Sequence, residues 1–220
     1  MIFPFIDFEY INLSNNFVRK INILYNYHKH CLNKIFKKPK RFEAINGNNV
    51  KIPEYWSKYN TYTKYYPHVS MFGAYGCYQS HYQIYKNFVL STKNYILIIE
   101  DDLEFNNNFV EEFIKIYSCL PKDWDVLYLS YTNNQPPLKI NKYLNKVTSC
   151  NLLSCYLLNK KGAQKYIDFL DKIKDEVGFI CNEPIDCQLS RIQHKMNVYQ
   201  SIKPLAYQGV LGKQSNINKK

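Results

Sequence analysis

An unbroken apolar run, Tyr95-Ile96-Leu97-Ile98-Ile99, stops abruptly at three consecutive carboxylates, Glu100-Asp101-Asp102. Apolar residues without polar alternation suit a strand covered on both faces, as in the parallel sheets of α/β proteins. Such a sheet needs helices on both sides, and the surrounding pattern supplies them. Ile6, Phe8 and Tyr10 alternate with Asp7 and Glu9 and lead to a first strand ending near Leu13. Ser14 or Asn15 can cap the helix that follows, with Phe17, Ile21, Leu24 and His28 on one face. After Gly73 and Gly76, Cys77, His81, Ile84 and Phe88 repeat at helical spacing. Phe109, Phe113, Ile116 and Leu120 mark another helix, closed by Pro121, and Val126 to Leu129 reads as a strand. A strand near Ser154 to Leu158, a helix from about Lys160 to Ile173, a short helix after Pro184 and a strand near Val198 to Ile202 complete the pattern. The predicted fold class is α/β, with a mixed, mostly parallel central sheet.

A chain of 220 residues matches one domain, and its composition, 46% hydrophobic and 21% charged, excludes wholesale disorder. Residues 37–72 are polar, basic and aromatic, with Pro39, Pro53 and Pro67, and read as an irregular excursion. Within them Tyr55, Trp56, Tyr59, Tyr62, Tyr65 and Tyr66 form either an acceptor platform or ordinary packing swollen by AT-rich codons. Residues 213–220 are expected to form a flexible tail. The net charge of +11 would attract polyanions, yet the basic residues are scattered rather than concentrated on one element. No specific nucleic-acid partner is therefore expected, and the charge suits a phosphate-bearing substrate or peripheral contact with an anionic membrane. Seven cysteines show no CxxC pair, so reduced thiols are expected. Neither a signal peptide nor a run of ~20 apolar residues is evident, which points to a cytoplasmic protein.

Ligands of open α/β sheets bind beyond the carboxyl ends of the strands, where Glu100-Asp101-Asp102 falls. Adjacent carboxylates repel one another unless a cation or basic groups neutralise them. A divalent metal on Asp102, with Glu100, would do so using the hard oxygen ligands that Mn²⁺ or Mg²⁺ prefers; the plain alternative is an acidic turn. Asp123-Trp124-Asp125 is a literal DxD, but it precedes its strand and so belongs to the opposite edge of the sheet.

Several segments, in order, resemble glycosyltransferase family 25. Tyr10-Ile11-Asn12-Leu13 with Arg19 is similar to that family's opening strand and helix, and Arg41-Phe42-Glu43-Ala44-Ile45-Asn46-Gly47 to its next segment. Gly76-Cys77-Tyr78-Gln79-Ser80-His81 resembles its "GC--SH" helix, and Ile98-Ile99-Glu100-Asp101-Asp102 its acidic motif. Asp123 to Leu129, Tyr156-Leu157-Leu158 with Lys161-Gly162-Ala163, and Pro184-Ile185-Asp186 continue the series. Near the end Ser215-Asn216-Ile217 departs from the family's Ser-Asp-Ile, so any role of that carboxylate is absent.

The resemblance implies a single GT-A, Rossmann-like domain over residues 1–220, a nucleotide-sugar donor (most often UDP-linked), a divalent metal and inversion at the anomeric carbon. Its acceptor would be a glycan or glycoprotein hydroxyl. Asp186 is the candidate base, with Glu183 second, against the reading of Asp186 as a helix cap. Asn12 and Leu13 are expected beside the nucleoside, Arg19 and Asp101 near the diphosphate. Ser80 points away from the stripe of Cys77, His81, Ile84 and Phe88 and is expected to reach the nucleotide, whereas His81 is either a donor contact or a buried structural histidine. The competing class is an inactive transferase fold or a basic protein that binds nucleic acid or glycans.

Overall fold

The structure is a computed structural model that describes residues 5–54, 56, 70–175 and 183–209. The expected tail at 213–220, and Tyr55, Tyr59, Tyr62, Tyr65 and Tyr66 of the aromatic run, lie outside the described residues. Strands β1 (Asp7–Asn12), β2 (Lys40–Glu43), β3 (Tyr95–Glu100), β5 (Val126–Asn133), β6 (Leu138–Lys139), β7 (Leu144–Val147), β8 (Cys150–Asn159) and β9 (Val198–Ser201) form one sheet. Their order is β2-β1-β3-β8-β5-β9-β7-β6. β1 runs parallel to both β2 and β3, β8 runs antiparallel between β3 and β5, and β9 lies parallel to β5. With β7 antiparallel to β9 and to β6, only β8 and β7 run against the others, so the sheet is mixed and mostly one-directional as expected. A small antiparallel pair joins β4 (Leu103–Phe105) to β10 (Ala206–Gln208).

Helices cover both faces. Ile96 and Ile98 of β3 belong to one core with Ile84 and Phe88 of α2 (Met71–Leu90) and Tyr166 and Leu170 of α4 (Lys160–Asp175). Leu97 and Ile99 belong to the other, with Ile23 and Tyr27 of α1 (Phe17–Lys29) and Phe109 and Phe113 of α3 (Phe109–Ser118). Alternate side chains of the one apolar run thus serve opposite layers, which is why it carries no polar alternation. A short α5 (Ile185–Ser190) follows Pro184.

Three expectations are corrected. The helix after the first strand is capped by Asn16, whose Oδ1 accepts from the Arg19 amide, rather than by Ser14 or Asn15. Its buried face is Arg19, Ile23, Asn26 and Tyr27, while Phe17 and Ile21 are exposed. Second, α2 starts at Met71, so Gly73 and Gly76 lie within it instead of before it. Third, the stretch read as irregular contains β2, which is charged because it is the sheet's edge strand and has solvent on one side. Trp56 is a core residue, its ring 5.1 Å from those of Tyr75 and Tyr78.

Candidate functional site

β1 and β3 are adjacent and parallel with Ile11 opposite Glu100, so the chain leaving each strand emerges at the same carboxyl edge. There a cleft of about 670 Å³ opens. Asn12, Leu13 and Arg19 line one side, Glu100, Asp101 and Asp102 the floor, and the segment 44–48 with the first turns of α2 the other side. That last wall depends on two glycines. A Cβ on Gly47 would run into the Phe72 carbonyl, and one on Gly76 into the Ile45 carbonyl, so only glycine lets this loop press against α2. Ser80 fastens it, accepting a hydrogen bond from the Ile45 amide at 2.9 Å while donating to the Gly76 carbonyl.

Charge in the cleft floor is only partly balanced. Arg19 is buried, with Nη1 2.7 Å from Asp101 Oδ1 and 3.9 Å from Asp102 Oδ2. Arg19 thus faces the acidic floor rather than solvent, which explains why α1 turns a cation inward. Asn12 Nδ2 donates to the other Asp101 oxygen at 2.7 Å. Burial raises the Asp101 carboxyl, with the Asn12 bond and the Arg19 charge opposing. Asp102 has no such pair of contacts, and its Oδ1 is buried without a partner among the described residues. Burial first, then the Glu100 charge, push its carboxyl up to about 7 despite Arg19.

Three carboxylates against one guanidinium leave two negative charges when all are ionised. An unpartnered buried oxygen and a two-charge deficit fit a hard divalent cation held by Asp102 and Glu100. Glu100 also reaches a second set of donors: Oε1 lies 3.8 Å from Cys77 Sγ and 3.7 Å from His81 Nε2. These three ligand atoms could themselves hold a metal ion. The cysteine spacings gave no hint of that cluster, although Cys77 and His81, four apart on one helix face, are the visible half of it. His81 is fully buried, and its Nδ1 is 2.8 Å from the Tyr156 hydroxyl, which suits the structural reading.

Asp186 and Glu183 are not in the cleft lining. Asp186 Oδ2 accepts from the Leu152 amide at 3.1 Å and Oδ1 from that of Cys187 at 2.9 Å. Leu152 has φ 79°, a left-handed conformation that a branched side chain seldom adopts, and Asp186 fastens it. Asp186 is near enough to the acidic floor for Glu100 to affect it, though burial is the main cause of its raised carboxyl. Glu183 is ion-paired with Arg191 at 2.5 Å. At the amino edge of β5, Asp125 is fully buried, with Oδ2 2.5 Å from Lys165 Nζ and 2.8 Å from the Asn197 amide. Asp123 is exposed and accepts from Asn197 Nδ2 at 2.9 Å.

The family model described as "Glycosyltransferase family 25 (LPS biosynthesis protein)" matches residues 7–188. The chain is 27% identical over 174 residues to "Procollagen lysyl hydroxylase and glycosyltransferase" of Acanthamoeba polyphaga mimivirus, covering 72% of this chain and 18% of that protein. It is 26% identical over 103 residues to "Procollagen galactosyltransferase 2" of Homo sapiens, covering 43% of this chain and 16% of the relative. It therefore spans less than a fifth of the length of these curated relatives. A solved glycosyltransferase "involved in the glycosylation of the major capsid of PBCV-1" is 9% identical with a TM-score of 0.41, over 79% of this chain and 69% of that one. For "A197 from STIV" the figures are 14%, 0.45, 94% and 86%.

Proposed function

The chain belongs to glycosyltransferase family 25, and from that premise we propose that it moves a hexose from a UDP-linked donor to a hydroxyl of a glycan or protein, in a metal-dependent, inverting reaction within a single GT-A domain. The observation that carries this reading is the under-neutralised carboxylate floor of the cleft, with Asp102 Oδ1 buried and unpartnered among the described residues. Asp102 and Glu100 would hold Mn²⁺ or Mg²⁺, which when bound supplies Lewis-acid stabilisation to the leaving diphosphate. Arg19 and Asn12 keep Asp101 fixed, and with it the turn that aims Asp102 into the cleft. Asn12 and Leu13 at the end of β1, with the segment 44–48 opposite, would flank the nucleoside. Ser80 shapes that wall through its bond to the Ile45 amide.

Asp186 is proposed as the base that takes the acceptor proton. Burial holds its carboxyl above the ordinary range, which favours proton uptake, and its two backbone amides hold it in place. Glu183 is the second candidate. Titration of UDP with and without Mn²⁺, followed by a donor-hydrolysis screen over UDP-glucose, UDP-galactose and their N-acetyl analogues, tests the reading. Metal-dependent UDP affinity with hydrolysis of one donor supports it; UDP binding indifferent to Mn²⁺ would overturn it.

A further inference from the structure

Helix α1 is amphipathic in the wrong sense for a helix that merely packs on a sheet. Its inner face carries Arg19 and Asn26 beside Ile23 and Tyr27, while its outer face shows Phe17, Val18, Ile21 and Tyr25 to solvent at 63%, 65%, 50% and 60% exposure. Phe17, Ile21 and Tyr25 succeed one another at four-residue intervals, and with Val18 they fill an arc of about 100° at ~100° per residue. Four large apolar side chains contiguous on one helix make a patch rather than the scattered apolar residues of an ordinary surface.

The chain around this patch has one sign of charge. From Tyr10 to Phe42 there are eight basic residues and no acidic one. Arg19, Lys37 and Arg41 have carboxylate partners in Asp101, Asp7 and Glu43. Among the described residues Lys20, Lys29, Lys34, Lys38 and Lys40 pair with no carboxylate. Two of them edge the stripe itself: Lys20 Nζ lies 6.0 Å from the centre of the Phe17 ring and Lys29 Nζ 5.6 Å from that of Tyr25. An apolar centre with lysines at its margins matches a surface that is negative outside and apolar just beneath, because the rings can enter while the ammonium groups stay at the charged layer. A second copy of this chain would instead bring two like-charged fields together.

We propose that this chain docks on anionic lipid membranes through the outer face of α1, with Phe17, Val18, Ile21 and Tyr25 entering the interface and Lys20 and Lys29 meeting the headgroups. Asn15, just before α1, and Arg19 in its first turn line the cleft, so docking holds the cleft's mouth beside the lipid surface. The inference deepens the transferase reading by naming where acceptors are presented, but the binding itself requires neither donor nor acceptor.

Co-sedimentation of the full chain with phosphatidylcholine vesicles, with and without phosphatidylserine, tests it. Binding is expected only with phosphatidylserine and should weaken as salt is raised. The double variant Phe17→Ser/Ile21→Ser should bind about tenfold less at an unchanged Tm, because both positions are exposed, and Lys20→Gln/Lys29→Gln should bind several-fold less. UDP titration of the same variants should match the wild type, so failure of the docking and failure of the donor site are read separately. No vesicle binding, or binding undiminished in Phe17→Ser/Ile21→Ser, would overturn the proposal. So would a wild-type dimer that this variant turns into monomers without any vesicle binding, which would assign the stripe to a second copy.

Discussion

The two acidic motifs, at opposite edges of one sheet, differ in what the chain does with their charge. Asp123-Trp124-Asp125 has the more familiar DxD spelling, yet Asp125 is met by an ammonium and a backbone amide, and Asp123 by a side-chain amide. Its surroundings are structural: the Gly162 backbone packs on the Asp125 carbonyl, and Asn159 bonds to the Trp124 carbonyl. At the other edge Asp101 and Asp102 share one guanidinium in an open cleft that Glu100 also lines. Among the described residues each motif has one buried carboxylate oxygen without a hydrogen-bond partner, Asp125 Oδ1 and Asp102 Oδ1, so burial alone does not separate them. What separates them is compensation. Asp125 is balanced one-to-one by Lys165, whereas the Asp102 cluster is two charges short.

The largest effect should come from removing what fills that deficit. Excess EDTA, or Asp102→Asn, is expected to abolish Mn²⁺-dependent UDP binding and to lower turnover on the order of 10³-fold or more. Asp123→Asn and Asp125→Asn should retain both. Full turnover in EDTA would overturn the metal requirement, and lost UDP binding in Asp125→Asn alone would reverse the assignment of edges. Next comes Asp186→Asn, expected to leave UDP affinity near wild type while lowering turnover roughly 10²-fold. Unchanged turnover with a lower Tm would mean that the bonds to Leu152 and Cys187 are its whole role. A smaller and different effect belongs to Asp125→Asn, which breaks the pair with Lys165. A loss of about 1–3 kcal/mol in unfolding free energy, with unchanged UDP affinity, is expected from equilibrium denaturation. No loss of stability would show that the compensation at this edge is unimportant.

The same comparison marks what could be read in advance. The edge of each motif was legible, because one follows its strand, the other precedes its strand, and β3 and β5 run the same way. The apolar run also gave the layer order, since only a strand covered twice can lack polar alternation. Helix α1 misled for a physical reason. Apolar spacing put Phe17 and Ile21 inside, but the acidic floor draws Arg19 inward, and one turn cannot present both faces to the core. β2 was invisible because an edge strand that reads Lys-Arg-Phe-Glu carries no core pattern. Asp186 was singled out by its place after Pro184, but its anchoring was not legible: Leu152 lies 34 residues away, and nothing local announces that its amide needs an acceptor. The cleft wall was half legible, as the glycines were visible without the loop that presses on them.

The smallest effect is a pH dependence, and it probes whether the two edges differ in their protons as well as their bonds. In the metal-free protein the Asp102 carboxyl stands at about 7, against 3.8 for an unperturbed aspartate. Between those values the folded state holds a proton that the unfolded state has released, so folding is linked to proton uptake. The contribution is fully present below about 3.8 and is lost as pH rises through about 7, so the metal-free protein should lose stability over that window. Asp101 and Asp186, both raised by burial, tilt the curve the same way, which makes the difference between variants the useful quantity. The Tm of wild type in EDTA should therefore fall more steeply with pH than that of Asp102→Asn, by a few degrees across the window, while Asp123→Asn should follow the wild type. Added Mn²⁺ should lift the wild-type Tm most at the alkaline end, where Asp102 is ionised and its charge is otherwise uncompensated. Parallel curves for wild type and Asp102→Asn would mean that Asp102 is ionised throughout, with its charge balanced by groups other than a cation.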